Sequence, residues 1–231
     1  MTPNSHDTEQ KDSEHNDGVA IRERLLAAAG VIGPCVFITD WAILGARAKN
    51  YSPVSDAISE LARIHAQTRP AMTAGFLVFS AALPAYAVAL RQSLPGHAWK
   101  FAAANGLATL GVAAFSLGTP TSGDIHGAFA GLAYASLAAT PIAAGVVLRR
   151  HGHLALARTS MATGVTCTAA LVASVIGPDH VHGLLQRIGL TIGDAWIVVS
   201  AISMMRGATV LPGNDTALPP TAPDKIADPA G

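Results

Sequence analysis

Three polar corners and one carboxylate inside an apolar run hold the residues of this chain that are able to do chemistry. The first corner is Asn50-Tyr-Ser-Pro-Val-Ser-Asp-Ala-Ile-Ser-Glu-Leu-Ala-Arg-Ile64, which sets Asp56, Ser59, Glu60 and Arg63 close together. The second, Thr119-Pro-Thr-Ser-Gly-Asp-Ile-His126, supplies Asp124 and His126. The third, from Gly177 to Gly189, supplies Asp179, His180, His182, Gln186 and Arg187. Asp194 follows in the middle of the last apolar run. Carboxylates and imidazoles together can bind a metal ion or move protons, and arginines bind anions, with Arg187 suited to bidentate contact. A carboxylate at the centre of a membrane span costs about 2.5–3.5 kcal/mol on insertion scales, so it normally faces the interior and finds a partner. Arg187 is the expected partner of Asp194. Asp40, nearer the end of the first apolar run, carries a weaker version of the same signal.

The elements that must position these groups are set by hydropathy. Half of the 231 residues are hydrophobic and 13% are charged, against about 25% in an ordinary soluble domain. The formal net charge is zero, so no global field favours nucleic acid, and membrane lipids are the expected partners. Six apolar runs are read as spans: Leu25–Gly45, Ala71–Leu90, Phe101–Leu117, Ile125–Leu148, Thr159–Ile176 and Leu184–Met205. Backbone groups in lipid must be satisfied internally, so each run predicts a helix. The expected fold is all-α, a polytopic membrane bundle of six transmembrane helices. Residues 1–21 and 207–231 are polar or Pro-rich and read as disordered cytoplasmic tails around a 22–206 transmembrane domain. A signal peptide ending at Ala46-Arg47-Ala48 is the competing reading of the first run, which is long for that role and contains Asp40. Pro34, Pro84 and Pro141 fall inside spans and predict kinks.

Lys and Arg near the span ends set the expected orientation. Of the 15 basic residues, ten fall in the tails and the even-numbered connections and five in the odd-numbered ones. Both termini are therefore expected to be cytoplasmic, with all three polar corners on the outer side of the cell membrane.

Local patterns refine each corner. Ser52-Pro53 is a good helix start, so a short interfacial helix is expected from Pro53 to about His65, between spans one and two. Such a helix would place Asp56, Ser59, Glu60 and Arg63 on one broad face. Glu60 pairing with Arg63 or Arg69, and Asp56 at the helix start, is the bland alternative. Asp124 or Ser122 is a natural cap for span four and Asp179 for span six. Gly127-x-x-x-Gly131 and Gly189-x-x-x-Gly193 are expected to pack neighbouring spans, and a homo-oligomer is compatible with them. Cys35 and Cys167 form no metal or redox pattern and read as small buried hydrophobes.

Three stretches resemble a known family. Tyr51-Ser-Pro-Val-Ser-Asp-Ala-Ile-Ser-Glu-Leu61, the Asp124-x-His126 start of span four, and Gly183-Leu-Leu-Gln-Arg-Ile188 before a last span bearing Trp196 resemble an uncharacterised family of six-helix prokaryotic membrane proteins. It is catalogued as the domain of unknown function numbered 998. The resemblance runs from about Leu25 to Met205 and implies the fold and the membrane location. It implies that Ser59, Glu60, His126 and Arg187 belong to shared polar features, and it brings no substrate or cofactor. The long polar N-terminal segment and His180 depart from it.

Three functions compete. The first is an outer-side pocket for a lipid headgroup or small polar ligand, built from Asp56, Ser59, Glu60, Arg63, Asp124, His126, His182, Gln186, Arg187 and Asp194. The second is a membrane-surface hydrolase, with zinc on His126, His182, Asp124 and Asp56, Glu60 as general base and Ser59 bonded to substrate, although no HExxH occurs. The third is an ion-coupled transporter using Asp40 and Asp194. A purely structural bundle is the fourth reading. The pocket is the preferred one, with no reaction and no cofactor assigned.

Overall fold

The computed structural model describes residues 5–119 and 122–207, and side chains from residue 21 onward within that range. It contains six α-helices and, among the described residues, no strand. They are α1 (Ser5–Arg47), α2 (Arg69–Ser93), α3 (Ala98–Ala114), α4 (Ser122–Arg150), α5 (Leu154–Ile176) and α6 (His182–Met205). Five are long and apolar enough to cross a membrane, the relevant part of α1 being Ile21–Arg47. The sixth, α3, has 17 residues. Each helix packs against the next and α6 returns to α1, so the bundle is a closed ring, with α6 also touching α2 and α4.

The backbone is helical from Ser5, where an irregular tail to residue 21 was expected. A nucleated helix extends at the cost of one residue at a time, so the span that starts near Ile21 carries the preceding turns with it. The expected tail over 208–231 lies outside the described residues. Helix α3 stops at Ala114 rather than Leu117. The carbonyls beyond its end find partners elsewhere: Phe115 O bonds the His126 ring and Leu117 O accepts the Ile64 N–H at 2.9 Å. All three expected kink prolines do sit within helices.

The apolar core runs along the inside of the ring through Phe37, Phe76, Phe79, Leu83, Tyr86, Leu137, Leu171 and Ile197. The outward faces expose Leu77, Leu107, Leu132, Val165, Val172 and Val199, the pattern of a bundle whose solvent is hydrocarbon. The two glycine pairs behave differently. A Cβ on Gly189 or Gly193 would lie 2.6 Å from Leu171 Cγ or Leu137 Cγ, so these two do pack α6 against its neighbours. Gly127 and Gly131 are exposed, and a Cβ there would meet nothing within 4 Å. Their expected role against a neighbouring span is corrected, because α4 turns its other face inward, through His126, Ala133 and Leu137.

Candidate functional site: a wide vestibule and a small chamber

The α1–α2 connection is where sequence and structure differ most. The expected interfacial helix from Pro53 to His65 does not form. One helical turn starts, with Asp56 N–H donating to Ser52 O at 2.7 Å and Ser52 N–H donating to Asp56 Oδ2 at 2.8 Å. Ala57 is then extended, and only a 3₁₀ turn, Ile58–Ala62, follows. The helix fails because its carbonyls have better donors than the next turn. Pro53 O and Asp56 O accept Arg187 Nη1 at 2.7 and 3.0 Å, Val54 O accepts Leu184 N–H at 2.9 Å, and Ala57 O accepts the Tyr51 hydroxyl at 3.2 Å. A charge-assisted bond is about twice as strong as a neutral one, so Arg187 wins these oxygens.

Arg187 is the anchor of this corner and not the partner of Asp194. It is 6% exposed, also bonds Gly183 O at 2.8 Å and the Tyr51 hydroxyl, and lies over the rings of Trp41 at 5.3 Å and Tyr51 at 5.6 Å. The close approach of connection and helix requires glycine at 183: a Cβ there would run into the Asp56 carbonyl and come within 2.8 Å of Arg187 Nη1. Gly118, at φ +109°, makes the turn that lets the α3–α4 connection touch Ile64. The three polar corners thus meet at one end of the bundle.

The expected site residues divide between two spaces there. The first is an open vestibule of about 780 Å³. Asp56, Glu60, Arg63 and His182 line it, with Arg47, Lys49, Tyr51 and Asp179. Most of its charge is internally engaged. Asp56 is held by Ser52 N–H and by the Ser55 hydroxyl at 3.1 Å, and Glu60 forms a two-pronged ion pair with Arg63. That pair raises the Arg63 ionisation further above its ordinary value. Arg47 and Lys49 have no carboxylate within ion-pair distance among the described residues. His182 donates its Nδ1 proton to Ser174 O, because a carbonyl can only accept, so its neutral ring keeps Nε2 as an acceptor. Burial raises the Tyr51 phenol above its ordinary value, opposed by the adjacent Arg187.

The second space is a smaller chamber of about 50 Å³ between the helices of the ring. Ser59, His126, Gln186 and Asp194 line it, and so do Asn105, Thr109 and Tyr134, beside the rings of Phe37, Phe76 and Phe79. The 3₁₀ turn separates it from the vestibule, with Ile58, Ser59 and Gln186 on the chamber side. Ile58 N–H donates to Gln186 Oε1 at 2.8 Å, and Gln186 Nε2 donates to the Tyr134 hydroxyl. His126 donates Nδ1–H to Phe115 O at 2.9 Å, which leaves Nε2 as a lone pair in the neutral ring. That Nε2, Asn105 Nδ2 and both Asp194 oxygens are buried with no partner among the described residues. Asp194 is 1% exposed and His126 is 6% exposed.

The remaining expectations resolve as follows. Asp124 is exposed in the first turn of α4 and joins neither space. Asp179 does not cap α6, which begins three residues later, after a 3₁₀ turn and with no side-chain cap. Ser122, at the first turn of α4, bonds Thr119 instead. Asp40 packs on Gly75 at the α1–α2 seam, apart from Asp194. The four residues expected to hold zinc are spread over the vestibule, the chamber and the outer face of α4. Among the described residues, no three His, Cys, Asp or Glu side chains gather as a metal site would need. Asn105 and Tyr134 were absent from the sequence-based site, although a lone amide in an apolar run was a usable signal.

Residues 31–203 match the family described as a protein of unknown function (DUF998). The chain belongs to this family. The match covers α1 from mid-span through nearly all of α6, so the connection, the vestibule and the chamber all lie within the family region. No curated protein and no solved structure matches the chain.

Proposed function

We propose that this member of the family is a six-span protein of the cell membrane that binds the anionic part of a lipid headgroup, or a small polar anion, in the vestibule. The observation that supports this is the pairing pattern there. Asp56, Glu60 and Arg63 are engaged with one another's neighbourhood, while Arg47 and Lys49 at the rim have no carboxylate partner among the described residues. The lining carries three basic residues and, with Asp179, three carboxylates, so its formal charge balances; the anion is drawn to Arg47 and Lys49, with His182 and Tyr51 as polar contacts beside them. Helix α3, at 17 residues, is about 26 Å long and comes near the ~30 Å hydrocarbon core, so it serves as the sixth span. The distribution of Lys and Arg supports cytoplasmic termini and an outward-facing vestibule.

The test uses the full chain in micelles. Phosphatidylglycerol, phosphatidylcholine and inorganic phosphate are each titrated while thermal unfolding is followed. Phosphatidylglycerol is expected to raise the midpoint saturably, and Arg47→Gln with Lys49→Gln to weaken that binding about tenfold, one charge-assisted contact's worth. An equal response to inorganic phosphate assigns a free anion as ligand rather than a lipid. No saturable response to any of the three, or no loss in the double variant, overturns the reading.

A further inference from the structure

The chamber calls for an occupant of a different kind from the vestibule's. Asp194 is its only charged lining residue, so whatever enters meets a carboxyl group and no lysine or arginine. Arg187 lies about two turns away along α6, and its Nη groups are committed to Pro53, Asp56, Gly183 and Tyr51. The neighbouring polar groups are also largely committed. Gln186 gives its N–H to Tyr134 and its oxygen to Ile58, and Thr109 gives its hydroxyl proton to Asn105 O at 2.9 Å. His126 gives away its Nδ1 proton. Among the described residues, two carboxylate oxygens, one imidazole nitrogen and Asn105 Nδ2 remain buried without a partner, while the Tyr134 hydroxyl keeps a proton to donate. Asp194 and His126 are not bonded to each other, and Gly193, next to Asp194, packs against Leu137, eleven residues along α4 from His126, so the two lie at different depths of the chamber.

The walls narrow the choice. Phe37 lies 5.6 Å from Phe76 and 5.3 Å from Phe79, ring centre to ring centre, and Tyr134 faces the same space. Aromatic faces stabilise ammonium-type cations. A hard metal ion instead wants about six or more oxygens, which this wall does not offer. About 50 Å³ is room for ammonium or a one-carbon amine.

We propose that the chamber binds a small cation carrying its own hydrogen-bond donors, ammonium or a short primary amine. Asp194 is its counter-ion. The two carboxylate oxygens, otherwise costly, then receive N–H groups, and the positive charge lies beside the rings. Ile58 and the 3₁₀ turn form the barrier the cation passes to reach the vestibule. This site stands independently of what the vestibule binds.

The test uses the full chain in micelles, in an amine-free buffer, with choline chloride holding the ionic strength constant. Ammonium and methylammonium chlorides are titrated against sodium and potassium chlorides, by calorimetry and by the unfolding midpoint. Saturable binding of ammonium and methylammonium, at least tenfold tighter than of sodium, is expected. Asp194→Asn should weaken it at least tenfold while keeping a midpoint in choline at or above that of the parent chain. Ala130→Leu, which adds volume at the chamber wall, should lose methylammonium before ammonium, and Arg47→Gln should change neither. Absence of saturable amine binding, equal binding of sodium or potassium, or binding retained in both Asp194→Asn and Ala130→Leu overturns the proposal.

Discussion

The vestibule, at about 780 Å³, and the chamber, at about 50 Å³, are separated by one short 3₁₀ turn and satisfy their polar groups in opposite ways. In the vestibule, the side chains bond to one another or stand open to solvent. Asp56 has two donors and Glu60 has Arg63, while Arg47, Lys49 and Asp179, without an ion-pair partner among the described residues, are served by water. In the chamber, four buried atoms on three residues have no partner among the described residues. An exposed polar group loses almost nothing without a partner because water serves. A buried one loses about 1–3 kcal/mol, and a charged one more. The same residue types therefore mean different things on the two sides of Ile58. Charge in the vestibule is weak evidence of specificity, and an unmatched carboxyl in the chamber is strong evidence of an occupant.

That contrast depends on the turn staying in place, and the largest effect should come from removing what holds it. Arg187→Met strips three backbone carbonyls and the Tyr51 hydroxyl of their donor. A loss of about 3–5 kcal/mol is expected, with new proteolytic cleavage confined to residues 50–66. A midpoint within a degree of the parent would show that the anchor is unimportant. Ile58→Ala is expected to cost about 2–4 kcal/mol, and more usefully to join the two spaces. With Cys35 and Cys167 replaced by Ala, a cysteine introduced as Ala130→Cys should react with a membrane-impermeant thiol reagent much faster in the Ile58→Ala background. Unchanged reactivity would mean that Ile58 is not the barrier.

Two smaller effects sharpen the vestibule side. Tyr51 ionises above its ordinary value of 10.0 when folded, because burial outweighs the nearby Arg187. A phenol that holds its proton more tightly when folded contributes stability that is intact below pH 10 and is lost as pH rises past 10 toward the folded value. The phenolate absorbance difference between the parent and Tyr51→Phe should therefore develop later than that of an exposed tyrosine. An onset at the ordinary position would contradict the buried, Arg187-bonded placement. Glu60→Gln should matter least. Its pair with Arg63 is half-exposed, so a change of under about 1 kcal/mol is expected, with the chamber's amine response unaffected.

Helix positions were legible because hydropathy is a local property. Each span satisfies its own backbone, so α2, α4, α5 and α6 begin and end close to where the apolar runs do. The Asp194 signal was legible for the same reason, since a carboxylate in an apolar run is costly wherever its neighbours lie. Placement of the other groups was not. Ser59 and Glu60 are adjacent in sequence and belong to different spaces, because the segment is a 3₁₀ turn and not the expected helix. That outcome was decided by Arg187, more than a hundred residues away.

The sequence by itself determined that this is an all-helical, multi-pass membrane protein of the DUF998 family, with polar residues gathered in the odd-numbered connections. Only the tertiary structure decided that Arg187 serves the α1–α2 connection and leaves Asp194 without a partner among the described residues. It also decided that His126 and His182 face different spaces, and that Gly127 and Gly131 face outward. The physical reason is range. Burial of an apolar run depends on the run itself, whereas a hydrogen bond depends on which group lies within about 3 Å, and chain order does not fix that.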